Sequence, residues 1–182
     1  MAVDANLQRS LERALGPNRV RADEESLHAF STDASPCVVP PRAVVFAESE
    51  ADVQSVLEVC RRLRVPLTPR ASGSSLSGAA IGPGIVLDTT RMHRILDFDA
   101  DRRTITVEPG LLLSSLNQFL AEHGLRFAPD PGSQDLCRIG GMVGHNASGY
   151  RSVKYGQTMD HVLGLRAILV DGTGLDAHDV PV

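Results

Sequence analysis

The groups in this chain best placed to do chemistry are main-chain amides, and two stretches bare them. The first is Pro66 to Gly78, reading PLTPRASGSSLSG, where seven of the eight residues after Arg70 are Ala, Ser or Gly. Apolar Val65 and Leu67 lead into it, so a small-residue loop follows a strand. Such a loop lets backbone N–H groups converge into a nest for an anion, usually a phosphate. Taken alone, the same stretch serves equally as a flexible Gly/Ser connector. The second stretch is Ile139 to Gly149, IGGMVGHNASG, with four glycines in eleven residues. It too favours close backbone approach to a ligand, or else a helix break or tight packing turn.

Two common nucleotide loops are excluded. A P-loop requires a lysine after its last glycine, and Gly73–Gly78 has none. A dinucleotide fingerprint opens a helix directly after its strand, whereas this loop runs on into Gly82-Pro83-Gly84. Side chains offer less. His145 and His161 have no carboxylate partner placed by spacing, so both read as packing or hydrogen-bonding loop histidines. Arg70 serves equally to neutralise phosphate or to anchor its own loop, and Asp130, between two prolines, fixes a turn.

The elements that must carry these stretches follow from periodicity. Asp4 caps a helix with Leu7, Leu11, Ala14 and Leu15 on one face, ended by Gly16. Residues 17–42 read as irregular. Ala43–Phe46 is a buried strand, and Ser49 and Asp52 form a capping box for a helix buried through Val53, Val56, Leu57, Cys60 and Leu63. A strand over Val65–Thr68 follows, parallel to the first, and delivers the loop at its carboxyl end, where open α/β sheets bind ligands. Beyond Gly84 the pattern changes to short strands at Ile85–Leu87, Arg94–Phe98 and Thr104–Glu108, the last alternating as a half-buried antiparallel strand does. A helix starting at Pro109-Gly110 carries Leu112, Leu113, Leu116, Phe119 and Leu120, and Gly124 stops it. Phe127–Ser133 is a rigid turn, and Val162–Val170 a strand closing on an Asp171-Gly172 hairpin.

Composition narrows the class. A chain of 182 residues is one domain or a pair of small subdomains, with 42% apolar and 22% charged residues. The net charge of −4, scattered Lys and Arg, and few aromatics argue against nucleic acid. Cys37, Cys60 and Cys137 are odd in number and contain no CxxC, which suits free thiols in a reducing compartment and gives no metal site. The first residues, MAVDANLQRS, lack a signal-peptide core, and no 18-residue apolar run predicts a transmembrane segment. The expected location is cytoplasmic, free or peripheral at the inner membrane, and the sequon at Asn146 is then accidental.

With these motifs in order, the chain resembles the flavoproteins of the vanillyl-alcohol oxidase and para-cresol methylhydroxylase (PCMH) type. Arg70-Ala-Ser-Gly-Ser-Ser-Leu-Ser-Gly78 is similar to that family's pyrophosphate loop, commonly R-G-x-G-[TS]-S-L-S-G. Pro129-Asp-Pro-Gly-Ser133 and Ile139–Gly149 resemble its second FAD-binding segment. Tyr155-Gly156, Asp160–Leu165 and Val170-Asp-Gly-Thr173 complete the order, so the resemblance runs from about Arg42 to Thr173. Within the family it is most similar to FAD-linked dehydrogenases of D-lactate, glycolate and other 2-hydroxy acids.

The resemblance implies an α+β, PCMH-type FAD-binding fold. A lead-in of 1–41 precedes an FAD domain over 42–182, split into a parallel α/β subdomain (about 42–90) and a mainly antiparallel one (about 91–182). That domain would be C-terminally incomplete, and FAD would stretch between its subdomains. The site residues it implies are Arg70, Ala71, Ser72, Gly73, Ser74, Ser75 and Gly78 for the pyrophosphate, with the amides of 71–75 holding it and the Ser74 and Ser75 hydroxyls assisting. Pro131, Gly132, Ser133, Ile139, Gly140 and Gly141 would line the flavin and ribityl side. Asn146, Ser148 and Gly149 would support the same wall, and Val162 would turn backbone groups toward the adenine. The loop has no histidine, so FAD would be non-covalent. Ala71 stands where glycine is commoner; a positive φ there would cost alanine about 1 kcal/mol or more.

By the same resemblance, the 2-hydroxy-acid substrate and the catalytic base belong to a cap domain that this sequence lacks, and electrons would leave to a quinone, cytochrome or iron–sulfur partner. No catalytic residue is assigned here. The alternative is a non-catalytic FAD-carrying subunit or a truncated pseudo-enzyme.

Overall fold

The computed structural model describes residues 4–178, with His178 as backbone only. Residues 4–91 together with 166–177 form one compact unit, and residues 92–165 a second.

The first unit is built on a four-stranded sheet. Helix α1 (Ala5–Leu15) is capped by the Asp4 carboxylate, which accepts from the amides of Asn6 and Leu7. It buries Leu7, Leu11 and Leu15, while Ala14 faces solvent. The stretch expected to be irregular holds a short edge strand, β1 (Val20–Arg21), and helix α2 (Glu24–Ala29), capped by Asp23 through the Ser26 amide. Helix α2 buries no residue completely, so it carries little periodic signal.

Strand β2 (Ala43–Phe46) leads to α3 (Glu50–Leu63), then β3 (Leu67–Arg70) and β4 (Ile85–Asp88). The Ser49 hydroxyl accepts from the Asp52 amide at 3.2 Å, while the Asp52 carboxylate accepts from Glu48 rather than Ser49. Helix α3 buries Val56, Leu57, Val59 and Cys60; Val53 and Leu63 lie at the half-buried margin. The strand order is β1-β2-β4-β3, with β2 and β3 each parallel to β4. The parallel relation is as expected, but β4 sits between the two strands. Strand β3 begins two residues later than periodicity suggested and lies at the sheet edge, where Pro69 needs no amide to donate. Its partner β4 is buried throughout.

In the second unit, β5 (Ile95–Asp99) and β6 (Thr104–Val107) pair antiparallel. Helix α4 (Leu113–Ala121) presents Leu116 and Leu120, which pack with Leu111 against Ile95, Phe98, Ile105 and Val107. It starts later than Pro109-Gly110 because Leu112 pairs instead with Arg138 in an isolated antiparallel bridge. A smaller cluster of Leu113, Cys137 and Met142 packs against Phe127, Ile139 and Ala147. Helices α5 (Ile139–His145) and α6 (Ser152–Tyr155) and a 3₁₀ turn at Thr158–His161 follow. Back in the first unit from Arg166 onward, the chain forms the hairpin β7 (Gly164–Ile168) and β8 (Gly174–His178), whose turn closes through the Leu169 amide to the Thr173 carbonyl at 2.8 Å. Arg166 donates to both Glu50 carboxylate oxygens at 2.7 Å, which ties this hairpin to α3.

Candidate functional site

The first glycine loop leaves the carboxyl end of β3 and returns to β4. Its return crosses the entry of β3 so closely that a side chain at Gly82 would strike Thr68, and one at Gly84 the Pro66 carbonyl. Within the loop, positive φ falls on Gly73 (70°) and Gly78 (77°). Ala71 is not among the positive-φ residues, so alanine there carries no strain. Among the described residues, the amides of Ala71, Gly73, Ser74 and Ser75 meet no protein acceptor. Orphan donors in a half-buried loop are what an anionic ligand would satisfy.

The Arg70 guanidinium donates to the carbonyls of Thr32 (2.8 Å) and Ala80 (3.2 Å) and lies 5.1 Å from the centre of the Phe30 ring. Gly73 packs against that guanidinium, so the loop wraps around it. Burial lowers the Arg70 pKa, while the carboxylates of Asp88 and Asp33 act in the opposite direction. Arg70 therefore anchors the loop and brings a positive charge next to Gly73. The Ser75 hydroxyl is engaged inside the loop, accepting from the amides of Ser77 (3.3 Å) and Ala79 (3.2 Å).

In the second unit the glycines divide by what surrounds them. A Cβ at Gly140 would lie 2.6 Å from the Pro109 Cβ, and one at Gly149 would run into the Asp130 backbone. These two are explained by packing alone. Gly132 and Gly144 have nothing within 4 Å on that side. The Ile139–Gly149 stretch is largely the helix α5 rather than a loop. Of its first amides, Ile139 donates to Leu111 and Gly140 to Pro109, whereas Gly141 meets no acceptor among the described residues.

Asn146 caps α5 in the left-handed region (φ 46°), and its side chain joins Gln157 (2.6 Å) and the Met159 amide (2.9 Å). Its amide group is spent holding the segment together. Ser148 is exposed. Pro131 and Ser133 close the turn, accepting from Gln134 and from both Leu136 and Cys137. Asp130 is buried and holds Arg151 through its amide (3.2 Å) and its Nε (3.1 Å), which fixes that turn as expected. The Val162 amide closes the 3₁₀ turn onto Met159. The His161 ring meets the Tyr155 carbonyl at 2.7 Å, a structural contact.

Sequence reasoning missed Asp33, whose carboxylate accepts from Ser35 (2.9 Å) and from the loop residue Ala80 (3.3 Å). The signal was the order Asp33-Ala34-Ser35, which is an Asx turn. It was hidden in a stretch with no periodicity.

Comparison with known proteins adds identity to this geometry. The profile of the FAD binding domain family matches residues 41–178. The D-2-hydroxyglutarate dehydrogenase of Escherichia coli K12 is 39% identical over 157 residues, covering 84% of this chain and 15% of that protein. The glycolate oxidase subunit GlcD of the same strain is 36% identical over 176 residues, covering 93% and 35% respectively. The D-lactate dehydrogenase of Anaerostipes hadrus is 33% identical over 164 residues, covering 88% and 34%. This chain thus spans little more than a third of these relatives at most. Among solved structures, alkyldihydroxyacetonephosphate synthase superposes with a TM-score of 0.87 at 21% identity, over 97% of this chain and 35% of that one. The structure of p-cresol methylhydroxylase with substrate bound gives 0.82 at 19%, over 94% and 34%. The fold is therefore α+β of the PCMH type, and no helix among the described residues is long and apolar enough to cross a membrane. The open amides of Ala71, Gly73, Ser74 and Ser75 fit an anionic group, and the chain belongs to the FAD binding domain family.

Proposed function

We propose that this chain is the FAD-binding portion of an FAD-linked oxidoreductase that converts a 2-hydroxy acid to its 2-oxo acid and passes electrons to an acceptor other than NAD. The observation that carries the reading is the set of unpaired amides of Ala71, Gly73, Ser74 and Ser75, presented by a loop whose ends are pinned. The names of its relatives supply the substrate class, with D-2-hydroxyglutarate, glycolate and D-lactate as candidates.

In this reading the amides of Ala71, Gly73, Ser74 and Ser75 bind the pyrophosphate, and the adjacent Arg70 adds positive charge. Hydrogen bonds to an ionised group contribute roughly 1.5–3 kcal/mol each, so several together hold the cofactor without a covalent link. Gly132, Ser133, Gly141, Gly144 and Ser148 give the flavin and ribityl side a surface free of bulky side chains. Asp130, through Arg151, keeps that surface in place. FAD, when bound, supplies a two-electron acceptor for the hydrogen on C2 of the substrate. Residues that orient the substrate lie in the part of the relatives' length this chain does not span.

The test is a titration of the purified chain with FAD, followed by flavin fluorescence and the visible spectrum. Saturable 1:1 binding with a shifted flavin band supports the cofactor reading; no binding up to about 100 µM overturns it, a free energy weaker than about 5.5 kcal/mol. Anaerobic bleaching of the flavin band in a protein of the relatives' full length, with each of the three acids in turn, tests the substrate class. Reduction by dithionite but by none of the acids points to the FAD-carrying subunit instead.

A further inference from the structure

The loop that bares its amides is held by a segment upstream of the residues matched by the family. Residues 31–39 close on themselves: Thr32 and Val38 form an antiparallel bridge, and the Val39 amide donates to the buried Ser31 carbonyl at 2.8 Å. The Ser35 hydroxyl accepts from the Cys37 amide at 3.2 Å, inside the same bend. This bend meets the loop at three places. The Thr32 carbonyl takes the Arg70 guanidinium at the loop's start. Asp33 takes the Ala80 amide at its end. The Ser35 hydroxyl and Cys37 lie 3.6 to 4.0 Å from where a Gly78 side chain would begin.

Ala80 is gripped on both sides, its amide by Asp33 and its carbonyl by Arg70. Both ends of a ten-residue loop are thereby tied to one rigid bend, which fixes how far apart they lie. A loop held in this way has fewer conformations to lose when a ligand seats on its amides, and preorganisation of that kind raises affinity without adding a contact.

We propose that the bend of residues 31–39 is a clasp that presets the phosphate-binding loop, with Asp33 as its positioning residue. The inference rests on the cofactor reading above. Asp33 has two oxygens facing two different donors, the Ser35 amide at one and the Ala80 amide at the other. Burial works to raise its pKa, but the Ser35 hydroxyl and amide, the Ala80 amide and the neighbouring Arg70 outweigh it and hold it below the usual carboxylate range. The clasp is therefore charged and closed at neutral pH.

Asp33→Asn keeps the size of the side chain but turns an N–H₂ toward one of the two amides. Its expected effect is a loss of FAD affinity of about tenfold, the size of one charge-assisted hydrogen bond. Two further readouts separate positioning from mere stability: the melting temperature of the FAD-free chain, and hydrogen exchange across residues 70–80. We expect the melt to stay within a few degrees while exchange in 70–80 quickens. FAD affinity within twofold of the parent overturns the proposal, as does unchanged exchange in 70–80. An affinity loss fully explained by the unfolded fraction overturns it too. If Asp33→Asn fails to fold, Asp33→Ser serves in its place, because a serine hydroxyl can still accept from Ser35 but is too short for Ala80. A parent chain that does not bind FAD fails the cofactor reading itself, which the variants do not address.

Discussion

Gly140→Ala and Gly132→Ala separate a glycine required by packing from one that leaves room for a ligand. At Gly140 the added methyl would lie 2.6 Å from the Pro109 Cβ, 3.0 Å from its carbonyl oxygen and 3.1 Å from its Cα. Ordinary carbon contacts are about 3.5–4.0 Å, so the Pro109 backbone has to move. That same carbonyl accepts the Gly140 amide at 2.7 Å, so the movement also strains a hydrogen bond. Overpacking costs about 1–3 kcal/mol and the weakened bond about 1 more, while alanine in a helix returns about 1. The net loss is about 2 kcal/mol, a fall in melting temperature of roughly 4–8 °C for a chain of this size. Gly132 has nothing within 4 Å and no positive φ, so alanine there stabilises the empty chain by about 0.4–1 kcal/mol through the unfolded state. Its methyl would nonetheless occupy the space assigned to the flavin side, and FAD affinity should fall. Circular dichroism melts without FAD and fluorescence titrations with it read the two effects separately. A Gly140→Ala chain that melts at or above the parent, or a Gly132→Ala chain that melts several degrees below it, refutes this division.

Three further outcomes follow from buried groups. Glu108 is held below its ordinary 4.5 first by hydrogen bonds from the Arg94 guanidinium, against the opposing pull of burial. Its contribution is thus complete above about pH 4.5 and lost as pH falls through the lower folded value, so Glu108→Gln should flatten the acid limb of a stability–pH curve. Burial raises the Cys60 thiol to about 11 and raises Cys137 as well, while Cys37 is exposed. A thiol reagent at neutral pH should therefore label one cysteine rapidly in the folded chain and all three after denaturation. Leu116→Ala, at a side chain 1% exposed in the α4 cluster, should cost about 2–5 kcal/mol by chemical denaturation.

Much of this architecture is legible in the residues themselves. Helices α1 and α3 announce themselves through a cap and an apolar stripe, because both bury one face and leave the other wet. Strand β2 is a short, fully apolar run, and β4 is an apolar run of three closed by Asp88. What stays hidden is set by tertiary contact. Helix α2 has a cap but no buried face, so periodicity is silent there. Helix α5 is glycine-rich and reads as a loop; it is helical because Met142 and Ile139 pack into the Leu113–Cys137 cluster and Pro109 accepts its second amide. The glycine motifs locate the candidate site but do not give each glycine its reason. Gly140 and Gly149 belong to packing and Gly132 to an open surface, a distinction only neighbouring atoms reveal. Arg70 was equally a phosphate partner or an anchor by sequence, and the carbonyls of Thr32 and Ala80 show it anchoring.

The place of β4 has an effect on how the chain can be cut. Both β2 and β3 are made earlier in the sequence, yet neither touches the other; β2 has only β1 beside it and β3 has no neighbour in the sheet until β4 slots between them. A nascent polypeptide halted before Ile85 is thus a β1–β2 pair with one bare edge and a β3 with no partner, rather than a smaller version of the whole sheet. The same late arrival that joins the sheet draws the 71–84 segment into its arch, so assembling the scaffold and shaping the glycine loop are one event.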